Sequence, residues 1–217
     1  MLSRRLAPEQ VAYFYLGSEL HPENEDDDQL PNIFVKNDPY FLVVGSIEPR
    51  KNHNLILDAF EILWQEGKMV NLVIVGGHGW KSGAFINRVK IHPMYKKRLF
   101  MLRSTTDAEL ALLYSKTLAL IFASMVEGFG LPIVEAFQRG ARVICSDIPV
   151  FREIASENAT YFDPASPISL ARKISDTYRP FEWTMPQVDA KFVSWITWKQ
   201  SAEQLITKLL GCVNNCR

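Results

Sequence analysis

The sequence predicts an α/β fold in which a parallel β-sheet is covered by helices on both faces. Short apolar runs alternate with amphipathic segments between residues 40 and 178 of the 217-residue chain. The runs lack the polar alternation of a half-exposed strand, as expected for strands that are buried on both faces. Right-handed connections between parallel strands then give a Rossmann-like layered domain.

Six apolar runs predict the strands. In chain order they are YFLVVGS from residue 40, VNLVIVGG from 70, RLFMLRS from 98, TLALIFAS from 117, ARVICSD from 141 and ATYFD from 159. Each run ends in Gly, Ser or Asp, which favour a turn. Sheets of this kind bind ligands at the carboxyl ends of their strands. The loops of interest are therefore Gly45–Asn52, Gly76–Ser82, Arg103–Thr106, Ser124–Leu131 and Ser146–Phe151.

The segments between the runs predict the helices. They span residues 52–67, 82–90, 106–116, 131–139, 150–155 and 166–178. Thr106 and Glu109 have the spacing of a capping box at the start of the third helix. The sixth helix is expected to begin near Ser166 or Ser169, since serine is favoured at the helix N-cap.

Pattern changes along the chain divide it into three predicted parts. Residues 1–40 lack periodicity and contain HPENEDDDQLPN, which favours an exposed arm or linker over a metal site. Residues 41–192 are the predicted Rossmann-like domain. Residues 193–217 predict an amphipathic helix and a tail, with Trp195 and Trp198 on its apolar face.

Composition and charge argue against several classes of protein. Basic and acidic residues are equal at 24 each, which argues against a nucleic-acid partner such as duplex DNA. No run reaches the roughly 18 apolar residues of a membrane span, and the N-terminus lacks the apolar segment of a signal peptide. The three cysteines, Cys145, Cys212 and Cys216, suit a reducing cytoplasm. We interpret the last two as free thiols rather than as a metal or disulfide pair.

The stretch SMVEGFGLPIVEAFQRG, residues 124–140, indicates an anion site. Glu127 precedes a Gly-Phe-Gly-Leu-Pro turn, and Glu135 is expected on the first turn of the helix that follows. Pro132 fits that first turn, and the glycines let the backbone approach a ligand. Four amides lack a helical acceptor, those of Gly128, Phe129, Gly130 and Leu131. With the helix dipole, they predict a site best suited to phosphate.

Two cations favour this interpretation. GSIEPRKN places Arg50 and Lys51 in the loop after the first strand, at the same sheet edge as the glycine turn. Arginine offers a planar fork to phosphate oxygens, and lysine offers a compact charge. Carboxylates on either side of a phosphate site can accept hydrogen bonds from neutral hydroxyls, a layout that a nucleotide sugar matches. The plainer alternative is a helix started by proline with two surface glutamates and a solvated cation pair.

A second glycine-rich stretch, GGHGWKS at residues 76–82, suggests a P-loop or a dinucleotide site. Trp80 stands where a P-loop needs glycine before Lys81, and the glycine spacing does not match the dinucleotide fingerprint. We therefore set both alternatives aside. His53 and His78 are candidates for polar loop contacts, but neither has a convincing partner in the sequence, and a plain surface position is the favoured prediction.

Together these motifs resemble the retaining glycosyltransferases of family 4, which have the two-domain GT-B fold. The resemblance is carried by GSIEPRKN, LVIVGG, ELALLYSKTLALIFASMVEGFGLPIVEAFQRGARVICSDIPVFREIA, ATYFDP and FVSWITWKQSAEQL. They follow the family's order, and the glutamate pair with seven residues between is its signature.

The resemblance implies a role for each matching residue. Glu127 would lie near the donor sugar, and Glu135 would hold the ribose hydroxyls. Arg50 and Lys51 would neutralise the diphosphate during catalysis, without a metal or cofactor. The donor-binding backbone would comprise the loop at Gly45 and Ser46 and the turn formed by Gly128, Phe129, Gly130 and Leu131.

The resemblance also implies partners and a location. Many members have arginine where this chain has Ser46, so one phosphate contact is expected either to be missing or to come from Arg50 instead. EPRKN and SDIPVFREI are similar to a branch linked to mannosyl or rhamnosyl transfer in surface polysaccharides. The chain resembles a carboxyl-terminal half, so a glycan or lipid-linked acceptor is expected to bind a separate amino-terminal domain. Little transfer is then expected from this chain alone, and the alternative is a non-catalytic partner subunit or a truncated fragment that binds nucleotide sugar. A cytoplasmic location, peripheral contact with the inner membrane and a homodimer are further expectations.

Overall fold

A computed structural model describes residues 11–19, 39–178 and 195–214, with side chains described as far as residue 211. The chain forms two units, one of residues 20–193 and one of residues 1–19 with 194–217. The acidic stretch HPENEDDDQLPN and the thiols of Cys212 and Cys216 lie outside this description. The predictions made for them, and the three-part division of the chain, stay predictions.

The larger unit contains a six-stranded sheet. Its strands are β1 Tyr40–Val44, β2 Asn71–Val75, β3 Leu99–Leu102, β4 Ala119–Phe122, β5 Val143–Ser146 and β6 Ala159–Phe162. All neighbouring strands pair in parallel, in the order β3-β2-β1-β4-β5-β6. The predicted Rossmann-like α/β fold is therefore confirmed. The strand order reverses between β1 and β4, which is where sheets of this class bind ligands.

Helices connect successive strands, and further helices follow the last strand. They are α1 His53–Gln65, α2 Gly83–Ile91, α3 Asp107–Lys116, α4 Leu131–Gln138, α5 Pro149–Ala155 and α6 Pro167–Thr177, and α7 Trp198–Asn214 lies in the smaller unit. The predicted capping box is present at α3, where the Thr106 hydroxyl accepts from the Glu109 amide and Glu109 accepts from the Thr106 amide. Ser166 rather than Ser169 caps α6.

Both faces of the sheet are buried, as the unbroken apolar runs predict. Phe41 and Leu42 point to opposite faces, and neither is exposed to solvent. A buried apolar cluster joins one face of the strands to residues of α1, α2 and α6. Burial of one such side chain contributes roughly 1.5–3 kcal/mol, so the core holds the strand ends, and the loops after them, in fixed positions.

The smaller unit joins an amino-terminal segment to the last helix. The Trp195 indole donates to the Leu16 carbonyl at 2.7 Å, and the Ser201 hydroxyl donates to the Tyr15 carbonyl at 2.7 Å. α7 begins only at Trp198, so the prediction that Trp195 shares the helix's apolar face is wrong. Trp198 itself is 46% exposed. Among the described helices of the chain, none combines the length and the apolar character that crossing a bilayer needs.

Candidate functional site

The loop after β1 carries both predicted cations. Gly45 turns the chain with φ +142°, and a short 3-10 helix, Pro49–Lys51, then presents Arg50 and Lys51. Asn52, in the left-handed conformation, connects this turn to α1. The Met125 amide donates to the Arg50 carbonyl at 2.9 Å, which ties the loop to the one after β4. The two predicted motifs are therefore neighbours at the switch point of the sheet.

Glu127 lies at the centre of an ion-pair network, here called the edge network, formed by Glu127, Arg50, Lys51, Ser124 and Glu48. Its carboxylate accepts from Arg50 Nη1 at 2.8 Å, from Lys51 Nζ at 2.5 Å and from the Ser124 hydroxyl at 2.8 Å. Arg50 also donates to Glu48 at 2.9 Å. The sequence predicts that the two cations and Glu127 lie in one crevice, but it does not predict that they pair directly.

Burial differs among the members of the edge network. The side chains of Lys51 and Glu127 are 12% and 10% exposed, whereas that of Arg50 is 46% exposed. Burial raises the pKa of Glu127, but hydrogen bonds from Lys51 and Ser124 and the nearby positive charges outweigh it, so the net pKa is lowered. Glu127 is therefore a carboxylate at neutral pH, held between two cations.

Ser46 occupies the position where the resembled family often has arginine. Its hydroxyl donates to Glu48 at 2.6 Å, and this hydrogen bond is the main reason that the pKa of Glu48 is lowered. Glu48 in turn accepts from Nε of Arg50, whereas Glu127 accepts from Nη1 of the same guanidinium. Ser46 therefore orients Arg50 through Glu48.

The glycine turn after β4 has the predicted form. Gly130, with φ +114°, is the N-cap of α4, and Pro132 lies in the first helical turn. A Cβ at position 130 would lie 3.1 Å from the Phe151 ring, so the site needs glycine for both conformation and space. In the described part of the chain, the amides of Gly128 and Gly130 have no hydrogen-bond acceptor. Phe129 and Leu131 are half-buried in the same turn.

Glu135 has a different environment from the one predicted. It is the fifth residue of α4, beyond the first turn, so its expected place in that turn is wrong. The buried Tyr114 hydroxyl of α3 donates to Glu135 Oε2 at 2.8 Å. Burial raises the pKa of Glu135 and the charge of Asp107 adds to this, although the Tyr114 hydrogen bond opposes both. The sequence signal for Tyr114 was its place on the apolar side of α3, which indicates burial but not its partner.

The two histidines differ. His78 is exposed, as predicted, and forms an isolated bridge with Ile47. His53 is buried against the Phe85 ring, at 5.4 Å between ring centroids, and neither ring nitrogen has a hydrogen-bond partner among the described residues. The predicted surface position of His53 is therefore wrong. Burial and the charge of Lys51 lower the pKa of His53 to about 4, which keeps it neutral.

The site thus offers two cations, the carboxylate of Glu127 paired with them, and unpaired amides at one sheet edge. Among the described residues there is no group of three or more His, Cys, Asp or Glu side chains that could hold a metal ion. The roles predicted for Gly45, Ser46, the turn and the two glutamates stay predictions. An arrangement of this kind can bind a polyanion and leave a carboxylate beside it.

Several known proteins are similar to this chain in sequence. A protein-family model described as "Glycosyl transferases group 1" matches residues 24–179. The chain is 42% identical over 204 residues to the serotype-specific mannosyltransferase WbdA of Escherichia coli, covering 92% of this chain and 25% of that protein. It is 36% identical over 126 residues to the O-antigen chain mannosyltransferase RfbU of Salmonella typhimurium, covering 58% of this chain and 34% of RfbU. The chain therefore matches only a quarter to a third of the length of these relatives.

Solved structures share the fold. Sucrose-phosphate synthase from Thermosynechococcus elongatus superposes with a TM-score of 0.70 at 21% identity, covering 93% of this chain and 52% of that one. Anabaena HepE, in a complex with UDP and glucose, superposes with a TM-score of 0.65 at 17% identity, covering 80% of this chain and 48% of HepE. At these identities the likeness concerns the arrangement of strands and helices.

Proposed function

Because this chain belongs to the glycosyl transferases group 1, we propose that it binds a nucleoside-diphosphate sugar for retaining transfer of a hexose. The observation that carries the proposal is the edge network, in which Arg50 and Lys51 converge on Glu127 beside the glycine turn. No metal or cofactor is needed in this proposal, since the two cations and the turn amides supply the positive charge.

The diphosphate would lie between the cations and the start of α4. Arg50 offers two parallel donors, Lys51 offers a compact charge, and the amides of Gly128 and Gly130 at the start of α4 would add further donors. A hydrogen bond to a charged group contributes roughly 1.5–3 kcal/mol. The charge on the diphosphate grows as it leaves the sugar, so loss of one cation would lower the transfer rate about 10²- to 10³-fold.

Glu127 would act beside the donor sugar. Its lowered pKa keeps it ionised, so it can accept hydrogen bonds from sugar hydroxyls and stabilise positive charge at the anomeric carbon. In the free protein its oxygens are occupied by Arg50 and Lys51. Donor binding would therefore transfer the cations from Glu127 to the diphosphate and release the carboxylate toward the sugar.

Glu135 would hold the ribose. Tyr114 occupies its Oε2, and Oε1 has no hydrogen-bond partner among the described residues. A carboxylate oxygen fixed in this way is a suitable acceptor for one or two neutral hydroxyls. The Tyr114 hydrogen bond would orient Glu135 for this contact.

A mannose-like hexose and a polysaccharide acceptor are the substrates that we propose. Support comes from the mannosyltransferase names of WbdA and RfbU and from the EPRKN and SDIPVFREI segments of this chain. The acceptor would be a glycan or a lipid-linked glycan, met at the cytoplasmic side of the inner membrane. Since Arg50 is 46% exposed, the site is open to water, and efficient transfer would need a further protein surface to close over it.

Ligand binding tests the proposal directly. We expect one of GDP, UDP, ADP and dTDP, or a corresponding sugar nucleotide, to raise the melting temperature of the chain. Arg50→Ala and Lys51→Met should each weaken that ligand about tenfold or more, as expected for loss of a charge-assisted contact. Arg88→Ala is the matched control, because Arg88 is ion-paired with Asp58 and Glu61 on the α1–α2 surface. No shift at millimolar ligand, or equal effects of the three variants, would contradict the proposal.

A further inference from the structure

The segment that leads into β3 carries a dense group of cations. Residues 90–98, KIHPMYKKR, contain Lys90, Lys96, Lys97 and Arg98 but no acidic residue, although basic and acidic residues are equal in number over the whole chain. The three lysines are exposed, and none of them forms an ion pair with a residue that the structure describes. A run of like charges is often no more than a solvated surface. Here, however, apolar side chains accompany it.

Two exposed apolar side chains lie beside these cations. Ile91, the last residue of α2, is 84% exposed, and Met69, which precedes β2, is 47% exposed. Trp64 joins their surroundings, because its ring packs against His92 at 5.3 Å between centroids and its indole donates to the Val70 carbonyl at 2.9 Å. The residues that directly follow Ile91 and Met69 therefore contact the same side chain.

Backbone hydrogen bonds hold the cations at the same place. The Lys97 amide donates to the Met94 carbonyl at 3.0 Å, which folds the segment into a tight turn. The Leu72 amide donates to the Arg98 carbonyl at 2.8 Å, which joins the start of β3 to the start of β2. The exposed cations and apolar side chains thus belong to one surface, here called the basic patch. It comprises Met69, Lys90, Ile91, Lys96 and Lys97.

Acids of the neighbouring helix α1 and the turn after it do not cancel the charge of the basic patch. Glu61 is paired with Arg88 at 2.8 Å and contacts His92 at 3.3 Å. Glu66 is paired with Lys68 at 2.9 Å. Since each of these carboxylates already has a cation of its own, the lysines of the basic patch keep their positive potential.

The basic patch lies at the opposite end of the sheet from the candidate functional site. Its segments precede β2 and β3, whereas the edge network follows β1 and β4, and all the strands are parallel. Strands of four or five residues span roughly 15 Å. A partner that binds the basic patch would therefore leave the candidate site open.

We propose that the basic patch binds to the surface of an anionic lipid bilayer. Each lysine or arginine close to such a surface strengthens binding about fivefold. Exposed aliphatic side chains among the cations gain further by entering the boundary between headgroups and acyl chains. A nucleic acid would use the cations but would gain nothing from Ile91 and Met69, so a bilayer fits this surface better. This inference goes beyond the proposed function and does not depend on it.

Co-sedimentation with lipid vesicles tests the role of the cations. The 217-residue chain is mixed with vesicles of equal parts phosphatidylglycerol and phosphatidylcholine, or of phosphatidylcholine alone. We expect binding only to the anionic vesicles, and weaker binding at roughly 0.5 M salt, where the Debye length is short. Lys96→Gln combined with Lys97→Gln should lower the partition coefficient roughly 25-fold. The matched control is Arg172→Gln combined with Lys173→Gln, since α6 contributes no residue to the patch.

Tryptophan quenching tests the role of the apolar side chains. Ile91→Trp places an indole within the basic patch, and Ile168→Trp places one on α6, where Ile168 is 56% exposed. Lipids with brominated acyl chains quench an indole that reaches the acyl boundary. The emission that each variant adds to that of wild type is therefore compared on brominated anionic vesicles. We expect the added emission of Ile91→Trp to be quenched and that of Ile168→Trp to persist.

The outcomes separate this inference from the proposed function. It is overturned if wild type does not bind the anionic vesicles, or if the double variant at Lys96 and Lys97 binds them as tightly as the control. It is also overturned if duplex DNA at matched phosphate concentration binds more tightly, or if Ile91→Trp is quenched no more than Ile168→Trp. Nucleotide affinity should be unchanged in the double variant. Failure of every nucleotide to bind wild type would refute the proposed function and leave the vesicle result standing.

Discussion

Replacing Glu127 with glutamine should make the chain bind a nucleoside diphosphate more tightly. In the free protein the Glu127 carboxylate is ion-paired with both residues that are proposed to bind phosphate, Arg50 at 2.8 Å and Lys51 at 2.5 Å. A diphosphate must compete with this internal anion for the same two cations. Glutamine has nearly the same shape but no charge, so the competition is weakened while the site keeps its form.

The size of the gain follows from the burial of the two pairs. The Arg50 pair is half exposed, and such pairs contribute about 0–1 kcal/mol. The Lys51 pair is mostly buried and is charge-assisted, so roughly 1.5–3 kcal/mol is the upper range for its contribution. Glutamine can still accept one hydrogen bond from Lys51, so part of the contribution of the Lys51 pair is retained. We therefore expect a gain of about 1.4 kcal/mol, or about tenfold in affinity.

Calorimetric titration of the nucleoside diphosphate without sugar measures this effect. Glu61→Gln is the matched control, because Glu61 is paired with Arg88 at 2.8 Å away from the edge network and loses the same charge. The sugar nucleotide should gain less than the diphosphate alone, since Glu127 is also proposed to contact the sugar. If Glu127→Gln binds the diphosphate no more tightly than wild type, while Glu61→Gln equals wild type, the proposal that Arg50 and Lys51 leave Glu127 for the diphosphate is refuted.

Three further predictions concern stability, each measured by thermal or denaturant unfolding. The folded-state pKa of Glu127 is lowered, so its contribution to the free energy of unfolding is present above the ordinary glutamate pKa and is lost as pH falls through the lowered value. Below about pH 4.5, Glu127→Gln should therefore lose less stability than wild type. The pKa of Glu135 is raised, so its contribution is lost as pH rises through the raised value, and Glu135→Gln should gain on wild type as pH rises above the ordinary glutamate pKa. A flat difference with pH would contradict either expectation. Gly130→Ala should cost about 1–3 kcal/mol because of its positive φ and the Phe151 contact, whereas Gly83→Ala, in open space within α2, should be neutral or stabilising.

The predictable parts of the molecule depend on neighbours close in sequence. The strand around Leu42 follows from an apolar run that ends in glycine and serine, and the start of α3 follows from Thr106 and Glu109, three residues apart. Pro132 similarly indicated the start of α4. Each of these features is stabilised by hydrogen bonds or burial periodicity within a few residues, so the linear pattern contains the necessary information.

The errors concern residues whose surroundings come from distant segments. His53 is buried because Phe85 of the next helix packs on its ring, and nothing adjacent to His53 in sequence indicates this. Trp195 was assigned to the last helix, but its indole hydrogen-bonds to Leu16 instead. The sequence places Glu135 near a helix start, but in the structure its carboxylate accepts a hydrogen bond from Tyr114, between α3 and α4.

The sequence alone determined the chemical character of the candidate site: two cations follow one strand, and a glycine turn between two glutamates follows another. The tertiary structure decided how these groups pair. Glu127 pairs with Arg50, which is 77 residues away in sequence, and Glu135 accepts a hydrogen bond from Tyr114. The reason is physical: a charged side chain that leaves bulk water needs a partner within hydrogen-bond distance. Which partner is in reach depends on how the sheet orders its strands.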